Sequence, residues 1–349
     1  MLKNKIAIVG LGLAGETVAY QFQQKNYPTY LINGSEQDNN TLPDAKNVMV
    51  LEGYDGLAGD RKLAFDALSK NKTILEKLAR IEQDIVVCIA SGGGTTGSGS
   101  IPYAVDSLLA SNPNRIVVIV ILMPRRDEAI QKRINAYDTI KELMEIEELG
   151  AMILVNNESR DDLSRINSAL VGMLDTFFSD EASSSGSNFD DSEKMKMLKE
   201  SGMFIIAKLT DQKGENQRTR TQDIINVLTA KNIFLPINND GIVGNIGIIN
   251  QTGNKMDEHE IEKAVGTPEN IFIGNKGASN LVCVSGLSFP TEYISKMGQE
   301  AVKEQKERLS RRKSLTLLDD LDEAVAPEKP VKKSKSGRRT ISLDMLRDM

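Results

Sequence analysis

With 349 residues, 40% hydrophobic and 26% charged, the chain is long enough for two domains with a core each. Its longest apolar run, Ile116–Met123, has eight residues, too few for a membrane span, and the opening residues lack a signal-peptide pattern, so a cytoplasmic protein with no membrane partner is expected. Net charge is −6 but uneven: residues 300–349 hold 13 Lys/Arg against 10 Asp/Glu, leaving an acidic body that argues against direct contact between the folded part and nucleic acid.

Residues 6–9, 29–32, 48–51, 85–90, 116–122 and 152–155 are short, nearly continuous apolar runs, as expected of strands covered on both faces. Helical patterns separate them at 16–25, 61–80 with a break, 102–109 and 129–149. This alternation predicts an α/β fold with a doubly wound parallel sheet and ligands at the carboxyl ends of its strands. Cys88 and Cys283 lie in apolar runs and read as buried thiols, and two cysteines cannot build a zinc site alone. The single histidine, His259, sits in a polar segment, which argues against a Ser/His/Asp or Cys/His hydrolase.

The first strand runs into Gly10-Leu11-Gly12-Leu13-Ala14-Gly15, a GxGxxG turn that suits a dinucleotide. A NAD-dependent oxidoreductase is therefore one reading. Against it, the second strand ends in Asn33-Gly34 where a carboxylate would hold the ribose, although Glu36 follows closely. The third strand leads to a turn, residues 53–60, that contains Gly53, Gly56 and Gly59.

After the fourth strand comes Ser91-Gly92-Gly93-Gly94-Thr95-Thr96-Gly97-Ser98-Gly99-Ser100, five glycines in ten residues. Such a turn is free to converge successive N–H groups on an anion, and a helix opening at Pro102 would add its dipole. No lysine stands between Asp84 and Arg115, so this is not a Walker loop. Phosphate charge would be met by amides, by the hydroxyls of Thr95, Thr96 and Ser98, and by a metal ion. The fifth strand leads to Met123-Pro124, with Glu128 and Lys132 four residues apart on the helix that follows. The sixth leads to Asn156-Asn157, which reads either as a base-binding pair or as a helix cap, before a helical stretch at 162–179 containing Asn167. Beyond a Ser-rich connection, Asn188-Phe189-Asp190-Asp191-Ser192-Glu193 has the spacing of a capping box on Asp190 and Glu193. Strand runs at 203–209, 271–274 and 281–284 and a helix at 221–230 suggest a smaller mixed sheet packed on the central helix. A charged helix is expected at 291–312, then a Pro/Lys/Ser-rich tail.

The Gly-rich signature resembles that of the tubulin and FtsZ superfamily, whose usual form is GGGTGTG, with Thr and Ser standing here where that form has Gly and Thr. Asn-x-Asp-x-x-Glu at Asn188 to Glu193 resembles the form in α-tubulin. The resemblance spans residues 1 to about 310 and is most specific in those two stretches. It implies a GTP-binding domain over 1–160, a central helix and catalytic loop over 161–202, a second α+β domain over 203–290, and a C-terminal helix and flexible tail over 291–349. It further implies that GTP or GDP with Mg²⁺ is held by Gly12, Leu13, Gly59, Gly93, Gly94, Thr95, Thr96 and Gly97, that Glu128 and Lys132 serve the ribose side, and that Asn157 and Asn167 read guanine. Leu163 stands where the family usually stacks an aromatic on the base. Asp190 and Glu193 are the implied catalytic pair, acting on a neighbour's nucleotide in a head-to-tail filament. The chain is most similar to the TubZ branch, plasmid and phage partition GTPases, which implies a DNA-bound adaptor as partner of the tail. A phage-centring or division-type homologue is the alternative within the superfamily.

Overall fold

The computed structural model describes residues 2–52, 57, 59–160, 162–179, 189–209, 217–238 and 240–314. The chain forms two compact units, Met1–Glu304 and Gln305–Met349; the described part of the second, residues 305–314, is helical.

The first unit begins with β1 (Ile6–Leu11), α1 (Gly12–Gln23), β2 (Thr29–Asn33), α2 (Glu36–Asn39), β3 (Val48–Val50), α3 (Arg61–Lys70), α4 (Lys72–Ala79), β4 (Ile85–Ser91), α5 (Thr96–Ser111), β5 (Ile116–Met123), α6 (Ile130–Met144) and β6 (Ala151–Asn156). These six strands are parallel and lie in the order β3-β2-β1-β4-β5-β6. Every residue of β1 and β5 is buried, the result of helices covering both faces. Strand order reverses between β1 and β4, where an open parallel sheet leaves a ligand crevice at its carboxyl edge. Leu11 pairs with Ala90 at the ends of those two strands, so both glycine turns leave the sheet side by side and level.

The chain continues through α7 (Leu163–Ser179), α8 (Asp191–Lys199), β7 (Gly202–Leu209), α9 (Gln217–Thr229), β8 (Val243–Gln251), α10 (Glu258–Val265), β9 (Pro268–Gly277), β10 (Asn280–Leu287) and α11 (Thr291–Ser314). In α7 the buried residues Ile166, Leu170, Leu174 and Phe177 recur at helical spacing and set one face of the helix into the core. The strands expected to form a separate smaller sheet instead extend the first one. β7 pairs parallel with β6 at Ala151–Gly202 and Met152–Met203, and β10, β8 and β9 follow outward, giving ten strands in one sheet.

Two further elements depart from the sequence reading. β8 was hidden by Gly244, Asn245, Gly247 and Asn250, which resemble turn residues. A Cβ on Gly247 would lie 2.4 Å from the Phe189 ring, so the glycine leaves room for that aromatic against the strand. Asn245 is satisfied inside the sheet, donating to Ser285 Oγ at 3.1 Å and accepting from Asn270 at 3.0 Å. Helix α5 opens at Thr96, not at Pro102, which lies inside it. The N–H that proline lacks would have bonded to the Ser98 carbonyl; that oxygen accepts from Arg61 Nη2 at 2.9 Å instead.

Candidate functional site

At the carboxyl edge the first and fourth connections are interlocked by absent side chains. Gly12 has φ +69°, and a Cβ there would lie 2.9 Å from Gly97 N; one on Gly97 would lie 2.5 Å from Leu11 O. Real Cβ atoms do not approach backbone so closely, so larger residues would force the turns apart and remove their amides from a common centre. Gly93 is pressed the other way: its Cβ position is 3.0 Å from Lys132 Cβ and 3.2 Å from Pro124 Cβ, which brings the fifth connection against the signature turn. Ser98 Oγ donates to Gly94 O and closes the turn on itself. Gly94, Thr95 and Thr96 are half-buried, and Leu13 is exposed.

The third connection reaches the same place. Leu57 is buried, and its Cδ1 and Thr96 Oγ1 lie 3.0 and 3.4 Å from a Cβ placed on Gly34 at the end of β2. Gly59 has φ +82° with open space around it, while residues 53–56 and 58 lie outside the described residues. Asp60 then caps α3 through Lys62 N at 2.8 Å.

Glu128 precedes α6. One of its carboxylate oxygens accepts from Arg125 N at 2.9 Å and the other from Lys132 Nζ at 2.8 Å, so the expected ribose pair is a local turn clamp in this structure. Glu158, which the sequence reading passed over, accepts from Arg126 N at 2.7 Å and joins the fifth and sixth connections. Its signal was weak, a lone Glu in a polar turn. Asn156 and Asn157 do not cap α7. Asp162 does, through Ser164 N at 2.9 Å, while Asn156 Oδ1 accepts from Glu158 N at 3.0 Å. Asn157 and Asn167 are half-buried on either side of the start of α7, their amides without hydrogen bonds among the described residues, and Leu163 is 45% exposed beside them.

Asp190 and Glu193 are elsewhere. β6 and β7 run parallel, so α7 starts at the carboxyl edge of the sheet and the chain must return to the opposite edge before β7 begins. The 17 residues of α7 span about 26 Å. Asp190 accepts from Ser192 N at 2.7 Å and donates its own N–H to Glu193 at 3.0 Å, completing the capping box. Hydrogen bonding with Glu193 and then Ser192 holds the Asp190 carboxyl below its ordinary range. Phe189 anchors this cap, stacked on Phe272 with ring centroids 6.0 Å apart and tilted against Phe177 at 6.2 Å. Asn188 lies outside the described residues.

A glycine-lined crevice at the strand reversal, two free amides beside it and an acidic cap at the far edge coincide with one family. Residues 5–164 match the Tubulin/FtsZ family, GTPase domain. This stretch is thus similar to a tubulin/FtsZ GTPase domain. Over 337 residues it is 23% identical to the tubulin-like protein TubZ of a Clostridium botulinum C phage, covering 92% of this chain and 91% of that one. The fold matches the tail-truncated TubZ of Clostridium botulinum phage c-st with a TM-score of 0.77 at 23% identity, over 88% of this chain and 100% of that chain. It also matches a GTPγS-form protofilament of Bacillus thuringiensis serovar israelensis TubZ, with a TM-score of 0.69 at 17% identity over 88% of this chain and 94% of that chain. The similarity favours the tubulin-like reading of the first glycine turn over the dinucleotide one, and Glu36, offered for the latter, is exposed on the short helix α2.

The tubulin-like crevice also has a buried carboxyl that the sequence did not single out. Glu16, in the second turn of α1, is fully buried and accepts from Asn33 Nδ2 at 2.8 Å, while Asn33 Oδ1 accepts from Gly34 N at 2.8 Å. Burial raises its pKa from 4.5 to about 7, with the Asn33 bond opposing the rise and Asp38 adding to it. Between these values the native state holds a proton that the unfolded chain has released. Stability from this group is therefore complete below pH 4.5 and is lost as pH rises through about 7. Glu16→Gln, which keeps the shape and the bond from Asn33, should remove up to about 3 kcal/mol of the difference in unfolding free energy between pH 5 and pH 8. Urea melts of both proteins at the two pH values measure it, and parallel pH profiles would contradict the assignment.

Proposed function

We propose that the chain binds GTP in the crevice between α1 and α5, assembles head to tail, and hydrolyses GTP where one subunit's Asp190 and Glu193 meet the next subunit's nucleotide. The separation of the glycine crevice from the acidic cap, at opposite ends of the parallel strands β1 to β7, carries this reading. Within a subunit the two cannot act on the same phosphate. A contact that joins opposite edges of identical subunits is heterologous and propagates as a filament.

In the crevice, the amides of Gly93, Gly94 and Gly97 and the positive end of α5 receive the phosphates, with Gly12 and Leu13 beneath them and Gly59 toward the terminal group. Asn157 and Asn167 take the guanine edge, each offering a carbonyl and an amide, and Glu128 turns from its clamp with Lys132 to the ribose. No cluster of three or more His, Cys, Asp or Glu that could hold a metal occurs among the described residues. The donor set fits a magnesium ion carried chiefly by the phosphates, with a Thr95 or Thr96 hydroxyl as the protein's ligand; bound there, it offsets phosphate charge. Across the subunit contact, Glu193 and Asp190 orient and polarise the water that attacks the terminal phosphorus. The phosphorus–oxygen bond to GDP breaks, releasing phosphate.

Glu193→Gln separates this role from helix capping, because the amide oxygen still accepts from Asp190 N. With GTP, the variant should sediment as long-lived filaments while phosphate release falls at least tenfold; parallel incubations with GDP and ATP should leave the parent in the supernatant. Parental phosphate release from filaments of the variant would assign Glu193 to the cap alone.

We also propose that the filament, in the cytoplasm of a bacterial host, moves or positions plasmid or phage DNA through a DNA-bound adaptor. Similarity to a phage TubZ over 92% of the chain supports this reading, as does the layout of the tail. Residues 315–349 lie outside the described residues; their sequence places the acidic stretch 319–323 before six basic residues in 329–339, followed by the apolar-polar segment Ile341-Ser342-Leu343-Asp344-Met345-Leu346. Such blocks attract an acidic groove or polyanion at long range. Truncation after Ser314 should preserve GTP-driven sedimentation and abolish co-sedimentation of the adaptor–DNA complex. Loss of sedimentation itself would place the tail in the subunit contact.

A further inference from the structure

We propose that Arg61 is a positioning residue for GTP turnover, holding the first turn of α5 in register with the connection that carries Gly59. The inference rests on the GTPase reading and adds to it a residue that touches no nucleotide.

It begins with a defect in α5. Pro102 is the seventh residue of the helix and has no N–H, so the carbonyl of Ser98, one turn earlier, lacks its helical donor. Ser98 is buried, and an unmet carbonyl there would cost about 1–3 kcal/mol or let the turn bend. Arg61 Nη2 donates to it at 2.9 Å. Thr139 Oγ1 is also near, at 3.3 Å, but it has one proton to give and lies closer to the Asn135 carbonyl, at 2.7 Å. Arg61 is thus the effective substitute for the missing amide.

The guanidinium is itself fixed. Nη1 and Nη2 bond to the two carboxylate oxygens of Glu142 on α6 at 3.1 and 2.7 Å, a bidentate pairing that sets its plane. Helix α3 also meets α5 backbone to backbone at this point, since a Cβ on Gly99 would lie 2.3 Å from Arg61 O.

The bond has functional reach on both sides. Ser98 closes the signature turn through its hydroxyl to Gly94 O, one residue before Thr95. Arg61 follows Asp60 and Gly59, and Asp60 N donates to Leu57 O at 2.8 Å, beside the spot where Leu57 and Thr96 meet over Gly34. One side chain therefore joins the two connections that face the terminal phosphate in the proposed site. Displacing that register by a fraction of an ångström affects the hydrolytic step more than binding, which draws on many amides.

The missing amide supplies a specific rescue. Arg61→Gln should lower kcat about tenfold at saturating subunit concentration, with GTP affinity changed less than about threefold. Pro102→Ala restores a backbone donor to Ser98 O, so the double variant should recover to within about threefold of the parent. Arg61→Lys, which keeps one donor but loses the fork, should fall between and be rescued in the same way; it serves if Arg61→Gln does not fold. Parental kcat in folded Arg61→Gln, or double variants that regain thermal stability without regaining turnover, would overturn the positioning role alone. A parent with no GTP turnover would overturn the GTPase reading and this inference with it.

Discussion

The closeness with which α1 and α5 approach the ends of β1 and β4 is the constraint on which the crevice depends. A Cβ on Gly15 would lie 2.2 Å from Ile89 O, and one on Gly97 2.5 Å from Leu11 O. Each helix therefore rests its glycine against the backbone of the other connection's strand. Because Leu11 and Ala90 pair near the ends of their strands, the two turns leave the sheet side by side. A crevice made of backbone is shaped by what its residues lack. The same crowding explains why neighbouring connections are drawn in: Gly93 seats Pro124 and Lys132, and Gly34 seats Leu57 beside Thr96.

Sheet direction sets the second relation. Parallel strands put every βα connection on one edge and every αβ connection on the other. The crossover from β6 to β7, formed by α7 and α8, must therefore deliver Asp190 and Glu193 to the edge away from the crevice, and the aromatic packing of Phe189 on Phe177 and Phe272 fixes them there. An acidic cap so placed has a local use in closing α8. Its proposed second use needs another subunit, which would make assembly and chemistry one event.

The parallel half of the fold was legible because its strands are apolar without alternation, a pattern only doubly covered strands show. Predicted and observed strands agree there to within one or two residues. The capping box at Asp190 and Glu193 was equally plain, since it is local. Signals failed where a residue's ordinary meaning was overridden by a distant partner. Pro102 suggested a helix start but lies inside α5, because Arg61, 41 positions earlier in sequence, meets the carbonyl it frees. Gly244 and Gly247 suggested turns but lie in β8, because Gly244 is crowded by Gly286 of the neighbouring strand and by Glu200, and Gly247 by the Phe189 ring. Glu16 and Glu158 drew no attention because their contacts, with Asn33 and with Arg126 among others, join residues that no spacing rule brings together. The candidate nucleotide residues were found by the signature and its resemblance, whereas the side chains that hold them in place required the folded chain.

Dependence of GTP turnover on subunit concentration tests the shared-site proposal most directly. If one subunit completes another's site, phosphate release per subunit is near zero in dilute protein and rises sharply above the concentration at which filaments first sediment, then levels off. A rate per subunit that stays constant from dilute monomer to full assembly would show that each subunit hydrolyses GTP alone, and would contradict a catalytic role across the contact.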